Sequence, residues 1–436
     1  MAEGYDVVIA GAGIAGCAAA VMFGRQGLRV ALVEAHREPS TFKRTCTHFI
    51  QPSALPTLQR LGIDRDIEAA GGLRNGFDFW TPYGWITDEA IAPGHAEHGY
   101  NIRRSVLDPK LRAMAADTPG VDLLLGHKVI DVLRNESKVI GLVATDVNGG
   151  RHELVGRLTV GADGRDSVVA ERSGLPGKSS PNGRFGYFAH YTGVRLQTKA
   201  SSQIWLDGVG VNYTFRNDND RTVLVAIRPK EELDGFRQDL EGSLLSSFDG
   251  LPKAPHMEGA SRVSDVFGVI NYPGHIQRAA GHGVALSGDA AIVADYLWGV
   301  GCGWALQTAE WLVDGTAGPL LRGGDVERGL VRYRRKVRNQ LGPHYLMISD
   351  YASGRPFNAL ERLLYAAAVV DPKVAKAFGR VGGRLSSPAL VLSPAMLTRM
   401  VRARRRAGPP VTVPSPRLPG SEDSELRQVL SGRAAP

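Results

Sequence analysis

Residues 5–16 have the sequence YDVVIAGAGIAG, and this stretch decides the fold of the chain. Its apolar first half predicts a buried β-strand, and three glycines at the spacing G-x-G-x-x-G follow at once. An Ala-rich helix is predicted over residues 17–26, and a second apolar run over residues 28–33 ends on Glu34. This order of strand, glycine turn, helix, strand and acid predicts a Rossmann-type β-α-β unit.

Each feature of such a unit has a physical basis here. Gly11 permits a tight turn, Gly13 leaves room for a pyrophosphate, and Gly16 lets the helix pack close to the sheet. The helix dipole favours a phosphate at the first N–H groups by ~0.3–1 kcal/mol. Glu34 can accept both hydroxyls of an adenosine ribose. The unit therefore indicates an adenine dinucleotide, and by itself it does not choose between NAD and FAD.

The length and composition describe a large globular protein. The chain has 436 residues, 43% of them hydrophobic, which suggests two domains or three lobes. No run approaches the ~18 apolar residues of a membrane span. The first strand begins within five residues of the N-terminus, which leaves no room for a signal peptide. We therefore expect a cytoplasmic protein.

Cysteine and charge patterns exclude some classes of site. The three cysteines, Cys17, Cys46 and Cys302, form no C-x-x-C, so neither a disulfide framework nor a metal site is expected. The net charge is +8, with arginine clusters at residues 332–336 and 402–406, but no nucleic-acid motif accompanies them. We interpret the clusters as solvated faces, with an acidic partner, an anionic substrate or a membrane surface as alternatives.

Two later segments also place polar loops after apolar strands. Residues 158–162 lead into Asp163-Gly164, and residues 283–287 lead into Gly288-Asp289. A glycine-rich loop then precedes a helix predicted over residues 304–314. Because ligands of open α/β sheets bind at the carboxyl ends of the strands, these loops are expected to share one site.

Other patterns predict a second sheet and a helical C-terminal region. Residues 185–228 alternate and are rich in Val, Thr and aromatics, which predicts an antiparallel sheet, and residues 77–88 are similar. Three strands over residues 121–147 are expected to form a meander. Residues 325–406 are expected to be mostly helical, with breaks near Gly342-Pro343 and near residues 354–356.

The glycine motif with Glu34, the Asp163-Gly164 turn and the Gly288-Asp289 loop, in this order, resemble the FAD-dependent aromatic hydroxylases, or group A flavin monooxygenases. That family shares a superfamily with flavin halogenases and geranylgeranyl reductases. The resemblance covers roughly residues 1–320. It implies an α/β fold with a Rossmann-like FAD-binding domain over 1–184 and 254–320, and with an inserted antiparallel substrate sheet over 185–253 to which 75–100 contribute. The rest of the chain is assigned from its own pattern and composition: a helical region over 321–407 and, where Pro, Ser, Gly and charged residues dominate, a flexible tail over 408–436.

The resemblance also implies a role for each matching residue. Gly11, Gly13, Gly16 and Glu34 would hold the ADP half of FAD. Arg104 would touch the cofactor's phosphate or ribitol, and Arg44 lies where the family often has a flavin-side arginine. Asp163 and Gly164 would serve both FAD and the nicotinamide nucleotide, and Asp289 would bind the ribityl or pyrophosphate part. Gly299, Val300, Gly301 and Gly303 would present N–H groups to the flavin. Those N–H groups would stabilise the negative charge of reduced flavin. The family's usual proline and asparagine in this loop are replaced by Tyr296 and Gly303.

The function implied by the resemblance is a monooxygenase that uses FAD, transiently bound NAD(P)H and O₂. FAD carries that chemistry, so no catalytic base is named, and structural roles are expected for His48 and Tyr213. A halogenase is disfavoured because its W-x-W-x-x-P stretch is absent. A reductase of the geranylgeranyl type remains the alternative. The aromatic walls suit a phenol, a polyketide or an isoprenoid as substrate.

One apolar segment near the C-terminus has a basic flank. Residues 390–400 precede the arginine cluster at residues 402–406, a pattern that can associate with an anionic membrane surface. A helix docked on the core is the simpler interpretation of the same pattern. The sequence predicts no oligomeric state.

Overall fold

In this computed structural model, the chain is described over residues 4–411. The predicted tail over residues 408–436 therefore lies almost wholly outside the described residues. The strands of the described range, in chain order, are β1 (Tyr5–Ala10), β2 (Val30–Glu34), β3 (Phe49–Ile50), β4 (Leu73–Arg74), β5 (Phe77–Thr81), β6 (Gly84–Ile86), β7 (Tyr100–Asn101), β8 (Val121–Leu125), β9 (Lys128–Asn135), β10 (Lys138–Thr145), β11 (Arg151–Gly161), β12 (Gly177–Ser180), β13 (Arg184–Thr192), β14 (Ser202–Leu206), β15 (Val211–Arg216), β16 (Thr222–Pro229), β17 (Ser261–Arg262), β18 (Phe267–Val269), β19 (Gly274–Gln277), β20 (Ala280–Gly281), β21 (Val284–Leu286) and β22 (Ile292–Val293).

The α-helices form two groups along the chain. One group alternates with the strands, and the other follows the last strand at the C-terminal end. In chain order they are α1 (Ile14–Gly24), α2 (Leu55–Leu61), α3 (Asp64–Ala69), α4 (Asp88–Ile91), α5 (Arg104–Ala116), α6 (Val168–Ser173), α7 (Leu233–Phe236), α8 (Leu240–Ser246), α9 (Gly301–Leu321), α10 (Val326–Ala352), α11 (Ala359–Val370), α12 (Pro372–Gly382) and α13 (Pro394–Arg404). The fold is α/β, as the sequence predicts.

The first large sheet carries the N-terminal unit at its centre. Its strand order is β20-β21-β11-β1-β2-β8, and all neighbours are parallel except β20 and β21. Every residue of α1 is buried, because the Ala-rich helix lies between the sheet and other helices. Small side chains permit this close approach.

The prediction of a three-stranded meander over residues 121–147 is wrong for its first strand. β8 pairs in parallel with β2 and so belongs to the main sheet. Only β9, β10 and β11 form an antiparallel extension. The apolar side chains of β8 fit the parallel sheet equally well, and strand alternation does not identify the partner strand.

The second large sheet has the order β17-β13-β16-β15-β14-β5-β6, with β18 also paired to β13. It is antiparallel except for the parallel pair β5 and β14. β5 and β6 come from the segment before the insertion. β17 and β18 come from residues 261–269, within the segment that the sequence analysis assigns to the FAD-binding domain. Two three-stranded sheets, β12-β19-β22 and β3-β7-β4, lie outside these large sheets.

Two helices differ from the sequence prediction. α9 begins at Gly301 and continues to Leu321, so it is longer at both ends. α10 runs without a break through Gly342 and Pro343. Pro343 removes one backbone donor, but Leu341, Tyr345 and Ile348 are buried in the core on either side of it, and their packing stabilises the continuous helix.

The C-terminal helix α13 docks on the rest of the protein. Met400 and Ala403 are fully buried, and Asp371 at the start of α12 accepts hydrogen bonds from Arg399 and Arg406. Within residues 4–411, no helix is both long enough and apolar enough to cross a membrane.

Candidate cofactor and substrate site

The glycine loop between β1 and α1 is shaped by three different requirements. Gly11 has φ +93°, and a Cβ there would lie 2.5 Å from the carbonyl oxygen of Ala162. A Cβ on Gly16 would lie 1.8 Å from the carbonyl oxygen of Gly11. A Cβ on Gly13 would meet no atom of the described chain within 4 Å. Gly11 and Gly16 therefore serve the packing of the loop, whereas Gly13 borders open space.

Glu34 at the end of β2 is tied to the same loop. Its Oε2 accepts a hydrogen bond from the Ala12 N–H at 2.8 Å, and its Oε1 accepts one from the His36 N–H at 3.0 Å. The residue is only 8% exposed. Arg112 of α5 holds the other side of the loop by donating to the Ala12 carbonyl oxygen at 3.2 Å. The glycine loop is thus fixed from both flanks.

A cavity of about 610 Å³ begins beside Gly13 and ends against the second large sheet. Its first part is bounded by loops that follow the strands of the parallel sheet, as expected for an open α/β fold. Of the residues assigned from sequence, those in its lining are Gly13, Arg104, Gly164, Asp289, Gly299, Val300 and Gly301. Gly11, Gly16, Glu34, Arg44, Asp163 and Gly303 lie outside that lining.

Lys43 occupies the place beside the cavity where the sequence analysis puts Arg44. The Arg44 side chain is exposed, whereas Lys43 Nζ lies 2.8 Å from Asp289 Oδ2 and lines the cavity. The Asp289 carboxylate raises the pKa of the Lys43 ammonium above its usual value. Sequence reasoning missed Lys43 because its loop has no periodic pattern that shows which side chain turns inward.

Arg104 at the start of α5 is buried and lines the cavity. Its guanidinium donates to Asp108 Oδ1 at 2.5 Å, one helical turn later, and its backbone N–H donates to His48 Nδ1 at 3.1 Å. The Asp108 carboxylate keeps the guanidinium charged in spite of its burial. The cavity therefore contains a fixed positive charge.

Asp163 contributes to the site indirectly. Its carboxylate accepts hydrogen bonds from the Ser167 hydroxyl at 2.5 Å and from the Val169 N–H at 3.1 Å, and burial raises its pKa. These contacts anchor the start of α6. Gly164, with φ +87° and no atom within 4 Å of a hypothetical Cβ, lines the cavity together with Arg165 and Asp166.

The N-terminus of α9 faces the cavity with its first turn. Gly299 has φ +57°, and a Cβ there would lie 2.8 Å from the Phe49 ring. Gly303 packs against Gln51, whose side-chain Nε2 donates to the Trp298 carbonyl oxygen at 2.5 Å. The first N–H groups of a helix have no acceptors within the helix and carry partial positive charge. An electron-rich ligand is therefore favoured at this end of α9.

Aromatic and aliphatic side chains of the second sheet line the far part of the cavity. Phe188, Tyr213 and Val225 point into it from β13, β15 and β16, and Tyr296 closes one side. The hydroxyls of Tyr213 and Tyr296 are buried and have no hydrogen-bond partner within residues 4–411. Burial raises the pKa of both tyrosines well above the usual value. Each hydroxyl is therefore a protonated donor.

His48 connects the two halves of the site. Because its Nδ1 accepts from the Arg104 N–H, its Nε2 carries the proton and donates to His190 Nε2 on β13 at 3.3 Å. Burial, together with the neighbouring His48, lowers the pKa of His190 to about 3. His48 has φ +61° and is not part of the cavity lining, whereas Tyr213 is.

Two cysteines that the sequence leaves unpaired meet in the cavity. Cys46 Sγ and Cys302 Sγ lie 3.9 Å apart although 256 residues separate them in the chain. Both line the cavity, and Arg104 Nη1 lies 3.9 Å from Cys302 Sγ. Spacing along the chain carried no signal for this pair, because one cysteine is in a loop and the other in a helix.

Comparison with known proteins gives both a family and a fold. Residues 4–237 match the family described as FAD binding domain. Digeranylgeranylglycerophospholipid reductase 1 of Methanococcoides burtonii is 24% identical over 348 residues, which cover 78% of this chain and 81% of that protein. Squalene epoxidase erg1 of Aspergillus fumigatus is 33% identical over 169 residues, 36% of this chain and 34% of that protein.

Among solved structures, the flavin-dependent brominase Bmp2 superposes with a TM-score of 0.75 at 19% identity, covering 93% of this chain and all of that one. At this identity the likeness concerns the fold. The Rossmann-like domain, the inserted sheet and the C-terminal helices thus recur in a flavin-dependent protein.

Proposed function

Since the chain belongs to the FAD binding domain family and is a flavoenzyme-type oxidoreductase, we propose that it is an FAD-dependent monooxygenase. It would use NAD(P)H and O₂ to hydroxylate or epoxidise an apolar small molecule. The observation that carries this proposal is the single cavity that joins the Gly13 loop to the aromatic wall around Tyr213. A cofactor bound at one end would meet a substrate bound at the other.

The residues of the first part of the cavity fit FAD. Gly13 borders a space that a Cβ would fill, and it lies at the N-terminus of α1, where N–H groups favour phosphate. We assign the ribose hydroxyls to Glu34, whose carboxylate keeps free lone pairs beside its two backbone contacts. We assign the ADP half to this end and the flavin to the end near α9. FAD would supply the redox chemistry.

The chain's own residues would orient and stabilise the reacting groups. Arg104 and the N-terminus of α9 place positive charge where reduced flavin would be negative. Phe188, Val225 and Phe49 exclude water from the far part of the cavity. Tyr213 and Tyr296 each offer a hydroxyl proton to a substrate oxygen. Because both hydroxyls lose their hydration on burial, a substrate that accepts hydrogen bonds from them should bind more tightly than one that leaves them unpaired.

The substrate class follows from this lining. A mainly apolar wall with two hydroxyl donors suits a flat or elongated apolar molecule that carries an oxygen, such as a phenol, a polyketide or an isoprenoid alcohol. Two relatives have names that refer to isoprenoid compounds, which supports the last of these.

The test begins with purified protein loaded with FAD. We expect NADPH or NADH to be oxidised slowly in air with release of peroxide, and faster when a fitting substrate is added. Products made under ¹⁸O₂ from p-cresol, an anthraquinone and geranylgeraniol are then analysed by mass spectrometry. Incorporation of one ¹⁸O atom into any probe supports a monooxygenase, and its absence from every probe that stimulates NAD(P)H oxidation contradicts it.

A reductase acting on an isoprenoid double bond is the second candidate. It is favoured by the relative that matches over most of its length and by the two thiols in the cavity, which an oxygenating site would expose to oxidation. The same geranylgeraniol probe separates the two. A product gaining two hydrogens under anaerobic conditions, with dithionite as the electron source, would identify the reductase.

A further inference from the structure

The Cys46 and Cys302 thiols are used by neither the cofactor nor the substrate roles assigned above. Cys46 lies in the irregular loop between β2 and β3, and Cys302 lies in the first turn of α9. Their sulfurs are 3.9 Å apart and both face the cavity. A disulfide needs a sulfur–sulfur distance of about 2.05 Å. The pair is therefore close enough to bond after a small movement, which the loop around Cys46 can supply.

The surroundings of the two cysteines favour the loss of one proton from the pair, which leaves one thiolate and one thiol. The backbone N–H of His48 donates to Cys46 Sγ at 3.3 Å, and the Arg104 guanidinium approaches Cys302 Sγ. The contact with the Cys302 thiol and the nearby His48 side chain hold the pKa of Cys46 well below its usual value, whereas the contact with Cys46 and burial raise the pKa of Cys302. Cys46 is thus the thiolate and Cys302 the thiol, an arrangement typical of reactive cysteine pairs.

Metal binding is the other common use of paired cysteines, and the geometry does not support it. Within residues 4–411, no group of three His, Cys, Asp or Glu side chains is placed to hold a metal ion. The nearest histidine, His48, has its Nδ1 occupied by the Arg104 N–H.

We propose that Cys46 and Cys302 form a dithiol–disulfide couple that exchanges two electrons inside the cofactor cavity. With a small disulfide as oxidant, the Cys46 thiolate attacks one sulfur and releases a thiolate. The Cys302 thiol then loses its proton and attacks the Cys46 sulfur, which displaces the second small thiolate. The two protein sulfurs lose two electrons, and the small disulfide gains them.

The same couple can pass electrons to the cofactor. As the protein disulfide forms, the thiolate–thiol pair would give up one electron pair and one proton, for which a bound oxidised flavin would be the acceptor. This step rests on the proposed function, whereas disulfide formation with a small disulfide does not. A dithiol would then be an alternative source of electrons to NAD(P)H.

Disulfide formation is tested on wild-type protein without bound flavin. The protein is incubated with glutathione disulfide, quenched in acid, alkylated with N-ethylmaleimide in denaturant and weighed by mass spectrometry. We expect only one of the three cysteines to remain alkylatable, and a peptide map that links Cys46 to Cys302. Three labelled cysteines, or a link that involves Cys17, would overturn the proposal.

Cys17 provides the matched control. It is fully buried, its thiol donates to the Ala12 carbonyl oxygen at 3.2 Å, and burial raises its pKa to about 12. Cys17→Ala should form the same link and retain no alkylatable cysteine. Cys302→Ser should trap glutathione on Cys46, and Cys46→Ser should react with glutathione disulfide at least tenfold more slowly. Faster reaction of Cys46→Ser than of Cys302→Ser would overturn the assignment of Cys46 as the attacking thiolate.

The exchange with FAD is tested separately under anaerobic conditions. Dithiothreitol is added to FAD-loaded wild type and to FAD-loaded Cys302→Ser, and the flavin absorbance is followed together with the thiol count. We expect the wild-type flavin to bleach at least tenfold faster. Equal bleaching rates in wild type and Cys302→Ser would overturn the proposal that the dithiol passes electrons to FAD. Failure of either protein to bind FAD would instead count against the proposed function and leave the result of the flavin-free experiment intact.

Discussion

The hydroxyl of Tyr296 packs against the backbone of Gly186, where a Cβ would lie 2.6 Å from the phenolic oxygen. Gly186 is in β13 of the second sheet, and Tyr296 precedes α9 in the first domain. The two parts of the cavity therefore meet at a contact that only glycine permits. Because the Tyr296 ring also packs on Tyr272 at 5.5 Å between centroids, it cannot easily move aside.

Gly186→Ala should displace the Tyr296 ring and weaken substrate binding without loss of FAD. We expect overpacking to cost about 1–3 kcal/mol of the free energy of unfolding and the KM of a substrate to rise more than kcat falls. Steady-state kinetics and thermal melts measure both. Gly342→Ala, in an open position within α10, is the control: it should leave KM unchanged and should not lower the free energy of unfolding, because alanine favours a helix more than glycine does. Unaltered KM in Gly186→Ala would show that Tyr296 does not contact the substrate.

Gly13→Val should give folded protein that does not bind FAD. The valine side chain would occupy the open space beside the loop, and the φ of −82° at Gly13 is accessible to valine. Flavin absorbance after reconstitution, with a thermal melt of the flavin-free protein, measures the effect. Gly16→Ala serves as a contrast, since its Cβ would collide with backbone and we expect loss of the fold itself. Full flavin content in Gly13→Val would refute the assignment of the ADP site.

Glu34→Gln should weaken both the loop and FAD binding. The carboxylate accepts from two backbone N–H groups, whereas an amide has one accepting oxygen and turns an N–H₂ donor toward the other N–H. Leaving one donor unsatisfied costs about 1–3 kcal/mol. Urea unfolding and FAD titration should both show the loss. Glu38→Gln, an exposed change in the following loop, is expected to have no effect.

The stability of the protein should fall as the pH is lowered below the usual histidine pKa. Burial lowers the pKa of His190 to about 3, and burial with the nearby Arg384 lowers that of His344 to about 3. Both take up a proton in the unfolded chain near pH 6.5 but not in the folded protein. Their contribution is thus complete above pH 6.5 and is lost toward pH 3, by up to about 1.4 kcal/mol per pH unit for each histidine.

Urea unfolding of wild type and His190→Gln at pH 7 and pH 5 tests this dependence. The difference in unfolding free energy between the two pH values should be smaller in His190→Gln by up to about 2 kcal/mol. His36→Gln, at an exposed position, should keep the wild-type difference. An unchanged difference in His190→Gln would mean that this histidine is protonated in the folded protein at pH 5.

The N-terminal β-α-β unit was predictable from sequence because its determinants are local. The period of the apolar residues sets strand and helix, and the glycine spacing sets the turn. The helical C-terminal region was predicted for the same reason, but the break expected at Pro343 was not found. At Pro343 the burial of Tyr345 and Ile348 outweighs the lost backbone hydrogen bond. Helix propensity, which depends only on local sequence, does not include the free energy of this burial.

What the sequence alone determined is therefore the α/β class, the glycine loop with Glu34 and the later loops that converge on one site. Only the tertiary structure decided that Lys43 rather than Arg44 reaches Asp289, that Gly186 meets Tyr296, and that Cys46 meets Cys302. Each of these contacts joins residues more than 100 positions apart. Such contacts depend on how separate elements pack and on which way a loop side chain turns, and neither is encoded in the spacing of residues along one element.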